Sequence, residues 1–222
     1  LTLRQQTKDR KLISEAKDDG YVRIIYPYLY YKIKSINKKF IKDIVPVGGQ
    51  ANRNVYDCNE GYGLTKYKTD RFGFRNNDNI WDNILNSNKK KILFIGDSFV
   101  NGDCVHNADV ISNNLKEFTT VNLGLSGNDP YVYSSLANIF IPIVQPDYVV
   151  LVFYMNDNTK DGDIFMKNLN IKDLHLRYVK NKNGKLELSN EIEEITNKVE
   201  NYVLNLKKNE VSGSRPNIFY RA

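Results

Sequence analysis

Cysteine is almost absent from this chain of 222 residues: only Cys58 and Cys104 occur. Two thiols make no disulfide framework, and no CxxC or Cys/His spacing points to zinc. They can form one bridge in an oxidising compartment, but free thiols are the expectation. Histidine is equally scarce, with His106 and His175 alone, which limits the positions from which an imidazole could act as a base. No run approaches the ~20 apolar residues needed to span a bilayer. No signal peptide is visible, although the chain opens on Leu1 rather than Met, so a true start can lie upstream. No internal repeat is evident. Hydrophobic content of 41% and aromatic content of 12% are enough for a real core and exclude global disorder. The length suits one medium domain, or a domain plus an extension.

The net charge of +6 is concentrated at the amino end. Residues 1–45 hold eleven Lys/Arg against five acids, and the remainder carries 21 of each. Such a segment can meet nucleic acid, anionic lipid or acidic polysaccharide, or simply be a solvated helix surface. No helix-turn-helix or aromatic–basic RNA motif accompanies it, which argues against nucleic acid. Proximity to a membrane or another anionic surface is the remaining partner for this end.

Residues 1–45 read as largely helical and amphipathic, interrupted at Pro27. Residues 46–88 read as irregular, with an aromatic and polar loop at 67–77. After the polar stretch 86–91 the pattern becomes strand (91–96), helix (about 107–118), strand (120–123), helix (about 131–143, closed by Pro142 and Pro146) and strand (147–153). Strands alternating with helices predict an α/β fold with a parallel sheet. Residues 176–188 suggest a hairpin turning at Asn183-Gly184, and 189–208 a final helix. The expected organisation is an extension over 1–88 and a domain over 89–222.

The chemistry concentrates at three loops that follow the three strands. Lys91-Ile-Leu-Phe-Ile-Gly-Asp-Ser-Phe99 is a buried-strand pattern stopping on Gly96-Asp97-Ser98, which puts a hydroxyl at a strand's carboxyl end, where open α/β sheets place their ligands. Gly96 would allow a sharp turn, and a helix start would leave backbone N–H groups free near Ser98. Gly124 and Gly127 follow the second strand and offer unobstructed backbone N–H groups. Asn156, in Met155-Asn-Asp-Asn158, follows the third and offers a neutral amide donor. A nucleophile and donors for an oxyanion are what ester hydrolysis requires. Each motif alone is equally an ordinary turn or helix cap; the ordered set of three carries the reading.

These residues resemble the SGNH hydrolases, also called the GDSL esterase/lipase family. Gly96-Asp97-Ser98-Phe99 is similar to the first family block, Leu125-Ser126-Gly127-Asn128-Asp129 to the second, and Asn156-Asp157 to the third, although Met155 stands where the family often has glycine. The resemblance covers about 90–160. The segment Asp70–Asn76 also looks like the lead-in of some envelope-associated bacterial members that act as polysaccharide O-acetyl esterases or acetyltransferases. It implies a three-layer αβα, flavodoxin-like fold with a parallel sheet. It also implies catalysis by Ser98 as nucleophile with Gly127 and Asn156 as oxyanion donors, no cofactor, a small ester or acetylated glycan as substrate, and an envelope location. A non-catalytic carbohydrate-binding or scaffold protein on the same fold is the alternative.

One departure is large. The family base sits in a late Asp-x-x-His block. His106 lies in a loop where the family has no catalytic residue, and His175 has Asp173 two positions before it instead of three. Only three parallel strands are visible where this fold usually has five. The expectation is therefore a domain incomplete at its carboxyl end, lacking the base unless His175 supplies it.

Overall fold

The computed structural model describes residues 3–26, 48–128, 130–154, 179–182, 185–188, 194, 196–198 and 200–201. Its centre is a parallel sheet of three strands. β4 (Lys91–Ile95) lies in the middle, flanked by β5 (Thr119–Asn122) and β6 (Tyr148–Leu151) in the order β5-β4-β6. Leu93 pairs with Val121 on one side and Val149 on the other. The continuous apolar run of β4 follows from burial on both faces. Leu93 and Ile95 enter the main core, while Ile92 and Phe94 pack with Val100 in a smaller cluster on the opposite face. β6 has the same composition, yet Tyr148, Val149 and Leu151 stay exposed, and no strand pairs on its far side among the described residues. The chain is thus α/β with a parallel central sheet.

Helix α4 (Pro130–Val144) connects β5 to β6; here the two preceding helices are α2 (Ile80–Asn83) and α3 (Ser98–Asn101), each a single turn. α4 sends Tyr133, Leu136, Ile139, Phe140 and Val144 into the core, the i, i+3, i+4 spacing of one helical face. Pro142 lies inside the helix rather than ending it. Its missing N–H falls in the last turn, and the chain leaves the helix only at Gln145, which has φ 48°.

Three expectations for the amino half need correction. Helix α1 (Leu3–Asp18) stops at Gly20, whose φ is 82°, and Val22–Arg23 becomes strand β1 instead of continuing the helix. A left-handed glycine just past the last turn is a common helix stop. Residues 46–88 are not simply irregular: β1 pairs in parallel with β2 (Asn54–Tyr56), which pairs antiparallel with β3 (Lys66–Lys68). The helix expected over about 107–118 is replaced by two 3-10 turns, Asn107–Asp109 and Ile111–Asn114. There Asn113 donates its amide to the Asn107 carbonyl, and Asn114 to those of Ala108 and Val110. Short polar side chains of this kind compete with the helix for its own backbone.

The core does not divide at residue 88. Ile24, Ile25, Val55, Phe72, Phe74 and Trp81 belong to the same buried cluster as Leu93, Leu123 and Phe140. Phe140 meets Phe72 and Phe74 edge-on, at 5.5 and 5.6 Å between centroids. Asp70 organises the loop that delivers these rings: its carboxylate accepts from the Phe72 and Phe74 amides, Asn76 and the Trp81 indole. Burial nevertheless pushes its pKa up to about 6, with the Asn76, Phe74, Trp81 and Phe72 donors pulling it back.

The two cysteines are not free thiols. Cys58 and Cys104 form a disulfide with Cα atoms 4.9 Å apart, which overturns that expectation; the folded chain brings together two residues whose spacing in sequence gave no hint of proximity. The expected hairpin is present as β7 (Val179–Lys182) paired antiparallel with β8 (Lys185–Leu188). Residues 194, 196–198 and 200–201 are helical, within the helix expected there, and Asn197 and Glu200 are held by Arg53.

Candidate functional site

β5 and β6 flank β4 on opposite sides, so the connections leaving β4 and β5 diverge at the carboxyl edge of the sheet. In open α/β sheets a crevice opens at such a switch point. Ser98 stands there, half-buried, as the first residue of α3. Asp97 caps that turn by accepting the Phe99 amide at 3.0 Å. Gly102, in the left-handed conformation at φ 74°, closes it, and the Gly102 and Asp103 amides both bond the Ser98 carbonyl. Gly96 has no positive φ, and the need for glycine there is close packing, because a Cβ would lie 2.5 Å from the Val100 side chain.

The loop after β5 is locked against this turn. The Leu123 and Leu125 amides bond the Phe94 and Gly96 carbonyls, and Asn122 donates its amide to the Val100 carbonyl at 2.6 Å. Gly124 is required by contact: a Cβ would fall 2.2 Å from the Asn101 nitrogen and 2.5 Å from the Val100 carbonyl carbon. The loop then turns through Gly127 at φ 76°, exposed, with Asn128 buried beside it and its amide bonded to the Leu125 carbonyl at 3.1 Å. Ser98 and Gly127 therefore share one edge of the sheet.

From the third strand, Val152 donates its amide to the Ile95 carbonyl and leads to Phe153 and Tyr154. Tyr154 lies 4.4 Å from Phe99, ring to ring, and Phe153 lies 5.7 Å from Tyr133. Phe99, Phe153 and Tyr154 are 56, 57 and 47% exposed, so an open aromatic rim borders Ser98. Asn156 and His175 lie outside the described residues. His106 is exposed, and its Nε2 pairs with the Tyr62 carbonyl at 2.9 Å.

Beneath the edge lies a polar cluster that the sequence did not announce. The Tyr26 hydroxyl donates to Asp57 at 2.8 Å and reaches Asp103 at 3.4 Å. Asp103 also accepts from the side-chain amide of Asn101. Burial raises the Asp103 pKa to about 7, helped by the charge of Asp57 and opposed by those hydrogen bonds. Burial also raises Asp57, against the Tyr26 bond and the charges of Arg23 and Arg75. Arg75 stacks over the Tyr67 ring at 4.3 Å and donates to the carbonyls of Gly102 and Val105 and to the Asn107 side chain. The sequence signals for this cluster were Asp103 five residues past Ser98 and Arg75 in the aromatic loop, but no local period links them to Tyr26.

Among the described residues, no group of three His, Cys, Asp or Glu side chains could hold a metal ion, and no helix is long and apolar enough to cross a membrane. No family model matches the chain, and neither a curated protein nor a solved structure matches it.

Proposed function

We propose that this protein is an SGNH-type serine esterase or O-acyl hydrolase that acts on small esters or acetylated glycans. The observation that carries the proposal is the position of Ser98: it opens a helical turn at the carboxyl end of the middle strand, with the Gly124–Asn128 loop locked beside it. The finer architecture proposed is the three-layer, flavodoxin-like one, and the β5-β4-β6 order supports it.

In the reaction proposed, the Ser98 hydroxyl oxygen attacks the ester carbonyl while a base takes its proton. The negative charge passes to the carbonyl oxygen, where the Ser98 and Gly127 N–H groups and the Asn156 amide stabilise it. Collapse expels the alcohol with a proton from the base and leaves an acyl group on Ser98; water, or an acceptor hydroxyl in a transfer reaction, then releases it. His106 is engaged with the Tyr62 carbonyl; the base in this reading is the histidine of a late Asp-x-x-His block that this sequence does not carry, with His175, outside the described residues, as the weaker alternative. The Cys58–Cys104 disulfide supports a location in an oxidising compartment such as the cell envelope.

Release of acetate from an acetylated glycan, or of p-nitrophenol from its acetate ester, tests this reading. Wild type should turn over and S98A should lose at least ~1,000-fold of that rate. Equal rates for the two would reject it. The aromatic rim of Phe99, Phe153 and Tyr154 supports a second reading, a carbohydrate-binding protein without turnover. Glycan binding that persists in S98A, with no hydrolysis by wild type, would select that one.

A further inference from the structure

Asp57 and Asp103 carry like charges, and the covalent chain forces them together. Each is followed by a cysteine, and Cys58 and Cys104 are bonded with Cα atoms 4.9 Å apart. Between the two half-buried side chains stands one hydroxyl, that of Tyr26, 2.8 Å from Asp57 and 3.4 Å from Asp103. Burial, and then the charges around it, hold the Tyr26 pKa well above its ordinary value, so the hydroxyl keeps its hydrogen. It has one hydrogen to donate, and the shorter contact takes it. The longer contact lies outside the roughly 2.5–3.0 Å of an O–H···O bond, and it sets a Tyr26 lone pair against an Asp103 oxygen. A proton on Asp103 turns that meeting of two acceptors into a hydrogen bond. Arg75 does not pair with either acid: its N–H groups go to the Gly102 and Val105 carbonyls and to Asn107. Among the described residues, none of the ion pairs involves Asp57 or Asp103. Asp103 is also part of the Ser98 turn. Its amide and that of Gly102 bond the Ser98 carbonyl at 3.0 and 2.9 Å, and the Asn101 side chain donates to its carboxylate.

We propose that Asp57, Tyr26 and Asp103 hold one proton in common, and that losing it loosens the grip of Gly102 and Asp103 on the Ser98 turn. This latch stands on the fold and does not depend on the esterase reading. With the proton present, Asp103 donates to Tyr26, which donates to Asp57, and the pair carries a single negative charge. Without it, two negative charges flank one hydroxyl, and like charges this close oppose joint ionisation. The charged and titratable groups facing the pair among the described residues are Tyr26 beyond β1, Tyr67 on β3 and Arg75 in the following loop, with Arg23 on β1 acting at Asp57. Cys58 and Cys104 are bonded to each other and do not titrate. Burial, with the charge of Asp57, raises Asp103 from 3.8 to about 7. Its contribution to the closed turn is therefore fully present below its ordinary value and is lost as pH rises through about 7.

Two measurements on the full, disulfide-bonded chain test the proposal. The first follows the aspartate carboxyl carbons by NMR as pH is raised. Wild type should show a step near 7. D57N and D103N each leave one acid with no like charge beside it, so the remaining acid should titrate lower by about one pH unit or more. D70N should leave the step where it is, which separates it from the titration of Asp70. The second measures protection of the Gly102 and Asp103 amides against hydrogen exchange, corrected for the intrinsic pH dependence. Protection should fall about 10-fold between about pH 6 and 8 in wild type, the factor that linkage gives for a group titrating at 7, and should stay flat in D103N. Both carboxyls titrating below about pH 5 in wild type, or a remaining acid unmoved in D57N, would overturn the shared proton even if D103N failed to fold. A shared proton with equal loss of protection in wild type and D103N would overturn its link to the Ser98 turn.

Discussion

Cys58 and Cys104 are joined across 46 residues of chain, so the end of the amino-terminal sheet is bonded to the loop that follows the Ser98 turn. Closing a loop of that length restricts the unfolded chain by about 4 kcal/mol in the chain-entropy account. Urea unfolding with and without reductant should show a loss of a few kcal/mol on reduction, and C58S/C104S should reproduce it. An unchanged midpoint would mean that the bridge adds nothing to stability.

Arg75 is held by geometry that lysine cannot copy. Its fork reaches two carbonyls and an amide oxygen while its plane covers Tyr67. R75K keeps a charge but loses the bidentate reach and the stacking. A cost of roughly 2–3 kcal/mol is expected, read by denaturant unfolding. Loosening should appear first in residues 101–107, where hydrogen exchange can locate it.

Gly124→Ala places a methyl against backbone atoms of Val100 and Asn101, which cannot swing aside as a side chain would. The expected cost is about 1–3 kcal/mol, with displacement of the Ser98 turn. Gly61→Ala is the contrast: nothing lies within 4 Å of its added Cβ, although its φ of +107° adds backbone strain. Slower labelling at Ser98 should therefore separate G124A from G61A even where their stabilities are close.

Asp70 has its folded pKa raised from 3.8 to about 6 by burial. Between those values the folded state binds the proton more tightly than the unfolded state does. Its contribution is thus fully present below about pH 4 and is lost as pH rises through 6. The fluorescence of Trp81, the single tryptophan, reports this directly because its indole donates to Asp70. Wild type should titrate with a midpoint near 6, and D70N should show no such step.

Much of this arrangement was legible in the sequence because it is local. The apolar run of 91–95 and the helix after Asn128 are set by periodicity, and the structure places those elements within a residue or two of expectation; the two strands expected to pair across 182 and 185 do so. The stretch 107–118 misled because its spacing allowed a helix while its Asn side chains favoured local bonds. The site was half legible. Ser98 and Gly127 stand in loops after strands, as their motifs suggest. Tyr26, Asp57, Asp103 and the disulfide meet only through pairing of β1 with β2 and a core shared across residue 88, and such long-range closure leaves no pattern in a single chain segment.

The most direct measurement of the central claim is the mass of the intact protein after exposure to a fluorophosphonate, followed by peptide mapping. One covalent adduct on the peptide that carries Ser98, absent from S98A, is the expected result. No adduct on the folded, disulfide-bonded protein, or an adduct that persists in S98A, would contradict the assignment of Ser98 as nucleophile.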